Sequence, residues 1–592
     1  MCAIAGIYSN SESFAALTGM LAKMQTRGPD ASYTYHDFGF YAGMNRLSIN
    51  DVEHGAQPFK NYNESIIVFF NGEIYNYPQL KMELESDGII FKTRCDGEIL
   101  PYLFAKYGMN CLGKLDGMFG ICIYDKNKQQ ILLARDIMGE KPLYYTKTPN
   151  SFAFSTLIAP LCLRDSIINA RAIWDFLTFG FIPEPQTIFE NIQALPKGTY
   201  GIYDINKTDF FIQSFVEQTQ KNFAIEFENT DDSLLHTTCQ IIQESVFDRL
   251  LSDVKIGTFL SGGLDSSIVA YLAKQKCETL ETFNIAFADN VDPYCGFADE
   301  SEFAQIVAKD IGSNHHEVRV DSKDYQNYLE DFIASIDQPY GAISGIGIKN
   351  IARFARELGV KVLLSGDGAD EMFGGYAWYP KLQFNDPRYI TKEKPKGWHY
   401  YAFESEKRTF LSKGMFSIGE KYFESLHYFP ASSLPLDSIQ FDRNFYLPFE
   451  MMTKLDRMTM SESVEGRACF LSPKIFAFTQ QLDYQTLLRY GTKWLLRESF
   501  RDMLPQKIVA REKHGFNPPI DYWLHHTWRP LLLEAFAPQS ALNKLGILSA
   551  NIEQNFMPIF DKSERRFGNI AFFLIVLNLW LEQHMNFGNI TI

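Results

Sequence analysis

Two different rhythms of apolar and polar residues divide this chain. Through residue 205 the apolar residues come in short runs separated by turn signals: MCAIAGIYS, FGFYAGMNRLSI, SIIVFFNGEIYN, MFGICIYD, QILLARD and PLYYT. Runs of this length, rich in β-branched and aromatic residues and bounded by Gly, Asn and Asp, predict strands of a stacked or sandwiched sheet. Helical spacing interrupts them from Phe14 to Gln25, from Tyr77 to Asp87 and around Glu98 to Tyr107. After LPKGTYGIYD the chain turns polar, and residues 206–232 read as a linker. From residue 233 helices and strands alternate: DSLLHTTCQIIQESVFDRL, KIGTFL, SSIVAYLAKQ, LETFNIAF, ESEFAQIVAKDIG and KVLLSG. That alternation predicts a parallel sheet covered on both faces. Beyond Trp378 the pattern is largely helical, and the longest apolar run, Ile570 to Leu581, is too short to span a bilayer and reads as a buried C-terminal helix.

Composition narrows the class. With 592 residues, 46% of them hydrophobic and 21% charged, the chain is expected to fold as two or more globular domains. A net charge of −15 argues against a nucleic-acid surface, so any anionic substrate must be held by specific groups. Nine cysteines without CxxC pairs suit reduced thiols in the cytoplasm better than a disulfide framework or a zinc site. The first residues lack the basic and apolar regions of a secretory signal.

Three places carry candidate chemistry. Cys2 follows the initiator Met1, and removal of that methionine would leave a thiol beside a free α-amine able to take its proton. The plain alternative is an incidental cysteine near a frayed terminus. Ser261-Gly262-Gly263-Leu264-Asp265-Ser266-Ser267 follows the strand KIGTFL and opens a helix, a setting in which backbone N–H groups approach phosphate. It lacks the GxxxxGK[ST] pattern, and fits instead the pyrophosphate loop of enzymes that split ATP into AMP and PPi. The run from Leu364 through Ser365, Gly366, Asp367, Gly368, Ala369 and Asp370 to Glu371 follows the strand KVLL, so both loops fall at C-terminal strand ends of one sheet. Its acids suit a metal ligand and a proton acceptor, or the cap of a helix.

In their order these fragments, with Arg27-Gly28-Pro29-Asp30, Arg46-Leu47-Ser48-Ile49, Asn71-Gly72-Glu73-Ile74-Tyr75-Asn76, Cys95-Asp96-Gly97-Glu98, LARDIMGEKPLYY, KLDRMTM, TKWLLR and LPQKIVAREKHGFNPP, resemble the glutamine-dependent asparagine synthetases over nearly the whole chain. The resemblance implies a two-domain α/β protein. Residues 1–205 would form a class II glutamine amidotransferase domain, an N-terminal-nucleophile hydrolase with a four-layer αββα sandwich. Residues 233–592 would form an α/β parallel-sheet domain of the ATP pyrophosphatase type with added helices. By the same resemblance Cys2 attacks the glutamine amide, Asn71 and Gly72 hold the oxyanion, Arg46, Leu47, Ile49, Glu73 and Asp96 bind glutamine, and a tunnel within the chain delivers ammonia. ATP and Mg²⁺ are the implied cofactors. Ser261, Gly262, Gly263, Asp265 and Ser266 would meet the pyrophosphate, Ser365 and Gly366 the AMP portion, and Leu260 and Ile285 the adenine. Asp265 and Asp370 would hold magnesium, Lys493 would steady the phosphates, and Asp367 is the candidate base. Expected partners are small-molecule substrates, with no nucleic acid and no membrane, and a homodimer as the assembly to test.

Four departures bear on the acceptor. Asp367 stands where some relatives carry glutamate, and Asn45 where histidine is common. Cys469 and Ser472 replace the proline and the acidic residue of an E-x-R-x-P-F-L-D pattern, and Gly341 to Gly347 differs from the usual Pro-Ser-Ala segment. Aspartate is therefore the default acceptor, another carboxylate such as a sugar acid or natural-product acid the alternative. Joint retention of Cys2, Arg46, Asn71, Asp96, Asp265, Asp370 and Lys493 disfavours a catalytically silent binding protein.

Overall fold

Alternation along single strands sorts the first half of the chain into layers. The fold, a computed structural model, is described over residues 2–9, 14–162, 166–288, 301–383, 400–423, 435–511, 518–562 and 566–585. On the strand Cys2–Ser9, Ile4 joins an inner apolar cluster with Phe40, Met44, Phe69 and Leu133, whereas Ala3 and Ala5 share an outer cluster with Leu17 and Met20 of the helix Phe14–Ala22. On the strand Ile66–Ile74, Ile67 and Phe69 face inward, while Val68 and Phe70 cluster with Leu84 and Leu103 of the helices Tyr77–Ser86 and Leu100–Tyr107. A period of two thus builds helix, sheet, sheet and helix in succession.

Both sheets of this sandwich are six-stranded. One runs Gln193–Ala194, Tyr144–Lys147, Ser151–Ser155, Cys2–Ser9, Phe40–Arg46 and Ala31–Asp37 in space, all antiparallel. The other runs Asp209–Ser214, Thr199–Asp204, Gln130–Arg135, Gly117–Asp125, Ile66–Ile74 and Phe59–Lys60, also antiparallel. The strand Asp209–Ser214 and the helix Val216–Asn222 lie inside the stretch read as a linker. An edge strand with Phe211 and Ile212 exposed lacks the buried alternation that marks a strand in sequence, which is why this one reads as polar linker.

The second half carries a five-stranded parallel sheet ordered Asn314–Val320, Glu281–Phe287, Ile256–Phe259, Val362–Ser365 and Glu465–Ala468. Thr258 pairs with Leu364, so the strands leading to the two glycine loops are neighbours in register. The strand Glu465–Ala468 is not visible in the apolar pattern, because two of its four residues are charged and are fully buried as an ion pair. At the other end of the chain the helix Arg566–Met585 buries Ile570, Leu574, Leu577 and Leu581 completely. Among the described residues no helix is long and apolar enough to cross a membrane.

The halves meet through buried charge as well as through apolar packing. Arg27 donates both Nη groups to Asp456, at 2.7 and 3.0 Å, and Lys141 Nζ reaches the same carboxylate at 3.3 Å. Burial opposes ionisation of Asp456, but the Arg27 and Lys141 charges outweigh it and hold the carboxyl well below the usual carboxylate range. Asp456→Ala would strand two buried cations, and is expected to lower unfolding stability by about 3–5 kcal/mol, measured by urea denaturation.

Candidate active sites

Strand pairing opposes Cys2 to Arg46, which sets the thiol at the mouth of the loop that follows the Phe40–Arg46 strand. Cys2 is 7% exposed. Burial pushes its thiol pKa up, opposed by a backbone N–H from Leu47 and by the Arg46 charge. The Cys2 backbone N–H donates to Asn71 Oδ1 at 3.0 Å, which turns Asn71 Nδ2 away from it; that amide group is buried with no hydrogen-bond partner. An unsatisfied buried donor beside a nucleophile is the arrangement an oxyanion requires. Gly72 is obligatory for packing, since a Cβ there would lie 2.0 Å from the Met118 carbonyl oxygen.

Arg46 differs from expectation. It spends three N–H donors inside the protein, Nη1 on Val52 O at 3.0 Å and Nη2 on Asn50 O at 3.0 Å and Asp51 O at 2.7 Å. Nε–H and one Nη1–H remain, so the two-pronged clamp expected for a carboxylate is partly used to shape the loop. Asp96 accepts from the Ile74 N–H at 2.7 Å, and burial pushes its pKa up to about 6. Glu73 accepts from Asn50 Nδ2 and, at 3.2 Å, from Arg467 Nη2, which also donates Nε to Glu465 at 2.6 Å. Burial and then the Asp96 charge hold the Glu73 carboxyl well above its ordinary pKa. Arg467, from the other half of the chain, is thus a wall of this pocket that the sequence reading missed; the E-x-R spacing on one strand was the available signal. Leu47 and Ile49 are buried beside it, 2% and 3% exposed.

The second site lies where the two glycine loops meet. Ser261 Oγ and Ser266 Oγ are 3.1 Å apart, the Gly263 N–H donates to Ser261 Oγ at 3.3 Å, and the helix Leu264–Lys276 begins without a side-chain cap. Its first-turn amides therefore remain available to an anion. Gly262 has φ +73° and a Cβ there would lie 2.4 Å from Ala304 N, so this turn admits only glycine. Lys493 Nζ bridges Asp265 Oδ2 at 2.5 Å and Asp370 Oδ1 at 2.6 Å, joining one loop to the other. Burial disfavours its charge, but the two carboxylates outweigh that and raise its pKa. Lys493 itself sits at φ +55°, a left-handed conformation that costs a non-glycine residue about 1–2 kcal/mol and is characteristic of functional positions. A Cβ on Gly375 would lie 1.9 Å from Asp370 Oδ1 and 2.2 Å from Lys493 Cε, so that glycine makes room for the cluster. Two carboxylates from different loops converging on one cation suit Mg²⁺, which takes one or two carboxylates together with substrate phosphates.

Other expected residues fall less directly. Asp367 Oδ2 accepts from Ser365 Oγ at 2.5 Å within its own loop. Tyr340, whose phenol burial and the Glu450 and Asp367 carboxylates hold well above its usual pKa, lines a small cleft between the halves with Tyr144, Glu184, Asp337 and Arg457. Leu260 and Ile285 are both buried, but in different apolar clusters. Cys469 is fully buried and Ser472 caps the helix Pro473–Gln480, accepting from the Ile475 N–H at 3.2 Å; both departures are thereby accommodated as scaffold. Asn45 is buried and bonds Leu21 O and Ser32 Oγ, each at 2.7 Å. Of the motif LPQKIVAREKHGFNPP, residues 512–517 lie outside the described residues.

Comparison with known proteins matches each half of the chain to a family. A family described as asparagine synthase matches residues 238–582, and one described as a glutamine amidotransferase domain matches residues 1–216. The chain belongs to the asparagine synthase family. Within it, glutamine-hydrolyzing asparagine synthetase 1 of Bacillus subtilis is 30% identical over 568 residues, covering 88% of each chain. Asparagine synthetase 3 of the same organism is 26% identical over 557 residues and 87% of each chain. A relative of this family chain with a different name, Amidase chry2 of Gibberella zeae, is 26% identical over 642 residues, 93% of this chain and 92% of its own.

Proposed function

We propose that the chain is a glutamine-dependent asparagine synthetase, hydrolysing glutamine at Cys2 and using ATP at the second site to amidate aspartate. Once Met1 is removed, the Cys2 α-amine takes the thiol proton and sulfur attacks the glutamine side-chain carbonyl. Asn71 Nδ2 and the Gly72 N–H stabilise the oxyanion, which collapses to a thioester with release of ammonia; water then returns glutamate and the free thiol. Asp96 and Glu73 receive the α-ammonium, and the two N–H donors that Arg46 keeps free meet the α-carboxylate.

At the second site the acceptor carboxylate attacks the α-phosphorus of ATP, giving an acyl-adenylate and PPi, and ammonia displaces AMP to form the amide. The N-terminus of Leu264–Lys276 and the Ser261 to Ser266 turn hold the pyrophosphate, Ser365 and Gly366 border the AMP portion, and Leu260 and Ile285 the adenine. Lys493 neutralises charge that grows on the phosphates. Asp265 and Asp370 would hold a magnesium ion, which when bound neutralises and orients them. Asp367 would take the proton shed by the attacking nitrogen. The observation that carries this reading is Lys493 bridging Asp265 and Asp370, which unites the two loops into one phosphate site on a chain that also carries a buried Cys2 beside a free amide donor.

The test is glutamine- and ATP-dependent PPi release with aspartate against a panel of other carboxylic acids, with the amide product identified. Release that requires aspartate and yields asparagine supports the reading; hydrolysis of glutamine with no response to aspartate moves the acceptor to another carboxylate. The same assay reports N-terminal processing when paired with intact mass. The setting is the reducing cytoplasm, and a homodimer is checked by light scattering.

The buried acid at position 96 sets a pH dependence. Its pKa of about 6 leaves it charged at neutral pH and neutral below, so the α-ammonium loses its partner as pH falls. In the free enzyme its protonation is expected to add about a further tenfold per pH unit to the fall of kcat/KM for glutamine below that value, on top of the limb set by the Cys2 α-amine, read from initial rates of glutamate release. Asp96→Asn should lower kcat/KM at pH 7 and remove this added steepness, leaving the shallower acid limb set by protonation of the Cys2 α-amine.

A further inference from the structure

The turn between the helix Asp231–Asp248 and the strand Ile256–Phe259 has no chemical role in the scheme above, yet it is bonded to the glutamine pocket at two points. The Asp253 backbone N–H donates to Ile49 O at 3.0 Å, and Asp253 Oδ2 accepts from the Asp51 N–H at 2.8 Å. One residue of the second half therefore grips two alternate residues of a loop in the first. Asp51 needs such a grip. Its φ is +45°, a left-handed conformation that a non-glycine residue keeps only when its surroundings over-determine it.

The rest of the loop depends on that residue. The Asp51 carbonyl accepts from Arg46 Nη2 at 2.7 Å, and its carboxylate accepts from the Arg94 N–H at 2.8 Å and faces His54 Nδ1 at 3.3 Å. On either side, Asn50 O and Val52 O hold the Arg46 guanidinium, and Asn50 Nδ2 donates to Glu73. Two of the three residues assigned to the charged ends of glutamine, Arg46 and Glu73, are thus shaped by the conformation at Asp51. The turn that presents Asp253 is itself fixed: Arg467 Nη1 donates to Arg249 O at 2.8 Å and to Leu251 O at 2.7 Å, while the same guanidinium reaches Glu73. Three residues beyond Asp253 begins the strand that ends at the pyrophosphate loop.

We propose that Asp253 is a positioning residue for glutamine: its carboxylate, reaching across from the ATP-binding half, holds the 49–55 loop in the shape that seats Arg46 and Glu73 around the substrate's charged ends. This rests on the glutaminase reading given above. Because Asp253 acts on binding and touches neither the thiol nor the phosphates, it governs KM for glutamine and leaves both chemical steps alone.

The experiment compares the full-length processed protein with Asp253→Ala and Asp253→Asn, following glutamate release against glutamine concentration, and PPi release with aspartate and ammonium chloride in place of glutamine. Asp253→Ala is expected to raise the glutamine KM about tenfold, the equivalent of about 1.4 kcal/mol. Its kcat and its ammonium-driven rate should stay within roughly twofold of the parent. Asp253→Asn keeps an oxygen to accept from the Asp51 N–H and should restore the parental KM. An unchanged KM in Asp253→Ala overturns the proposal, as does an ammonium-driven rate that falls in step with the glutamine-driven one, or an asparagine variant as impaired as the alanine one. Absence of glutamate release from the parent protein overturns the glutaminase reading and this proposal with it; a normal parent with a normal Asp253→Ala sinks this proposal alone.

Discussion

Cys2→Ser is expected to reduce glutamine hydrolysis by at least about 10³-fold while ammonium-driven amidation continues. A serine hydroxyl is far less acidic and less nucleophilic than a thiol, so in a pocket shaped for sulfur the same α-amine activates far less of it. The pocket offers no ready substitute nucleophile: Asn71 is a donor, Glu73 and Asp96 are held by the Asn50, Arg467 and Ile74 donors, and the Cys95 thiol, which donates to Asp96 at 3.6 Å, is held protonated by burial and the Asp96 charge. Glutamate release and PPi release, measured on one preparation with glutamine and then with ammonium chloride, separate the two activities. Loss of both would mean that the thiol supports the fold, and retention of hydrolysis would remove Cys2 from the chemistry altogether.

Lys493→Ala should show the reverse pattern, a fall of at least about 10³-fold in ATP-dependent PPi release with glutamine hydrolysis retained. Without the ammonium group, Asp265 and Asp370 face one another across a buried space, and the charge growing on the phosphates finds no fixed cation there. Lys493→Arg is not expected to restore the rate. A guanidinium is planar and wider than an ammonium, and the space beside Lys493 Cε is already so tight that it excludes a β-carbon from Gly375. A positional isotope experiment, following scrambling of labelled oxygen within ATP, distinguishes failure of adenylation from slow release of products. If Lys493→Arg recovers most of the rate, Lys493 is a general counter-charge and the tight geometry is incidental.

The parts of these sites that were legible in the sequence are those carried by covalent neighbours. Cys2 stands next to its own base, and the SGGLDSS run holds the turn, the helix start and the first carboxylate within seven residues. The rest is assembled by tertiary contact. Nothing along the chain says that Asn50 reaches Glu73, that Arg467 closes the pocket from 394 positions away, or that Asp253 grips the loop at Asp51. Arg46 was legible only in part for a related reason: a guanidinium suits carboxylates and backbone carbonyls alike, and only the fold shows that three carbonyls take up three of its five donors. The same logic governs the strands. Those with a clean inner apolar face, such as Ile66–Ile74, announced themselves. The edge strands Ala31–Asp37 and Asp209–Ser214 did not, because one or both of their faces meet water. Glu465–Ala468 was hidden because its buried charges neutralise each other through a bond that sequence does not record.

The buried carboxylate at position 456 limits how this molecule can be taken apart. Its two cationic partners, Arg27 and Lys141, belong to the other half, and the apolar cluster holding Ala3 and Trp174 is completed by Phe573 of the C-terminal helix. The matched families end and begin at residues 216 and 238, a natural place for a protein engineer to cut. Fragments made there would each carry ionic groups stripped of their counterparts and a bared aromatic surface, and would aggregate sooner than catalyse.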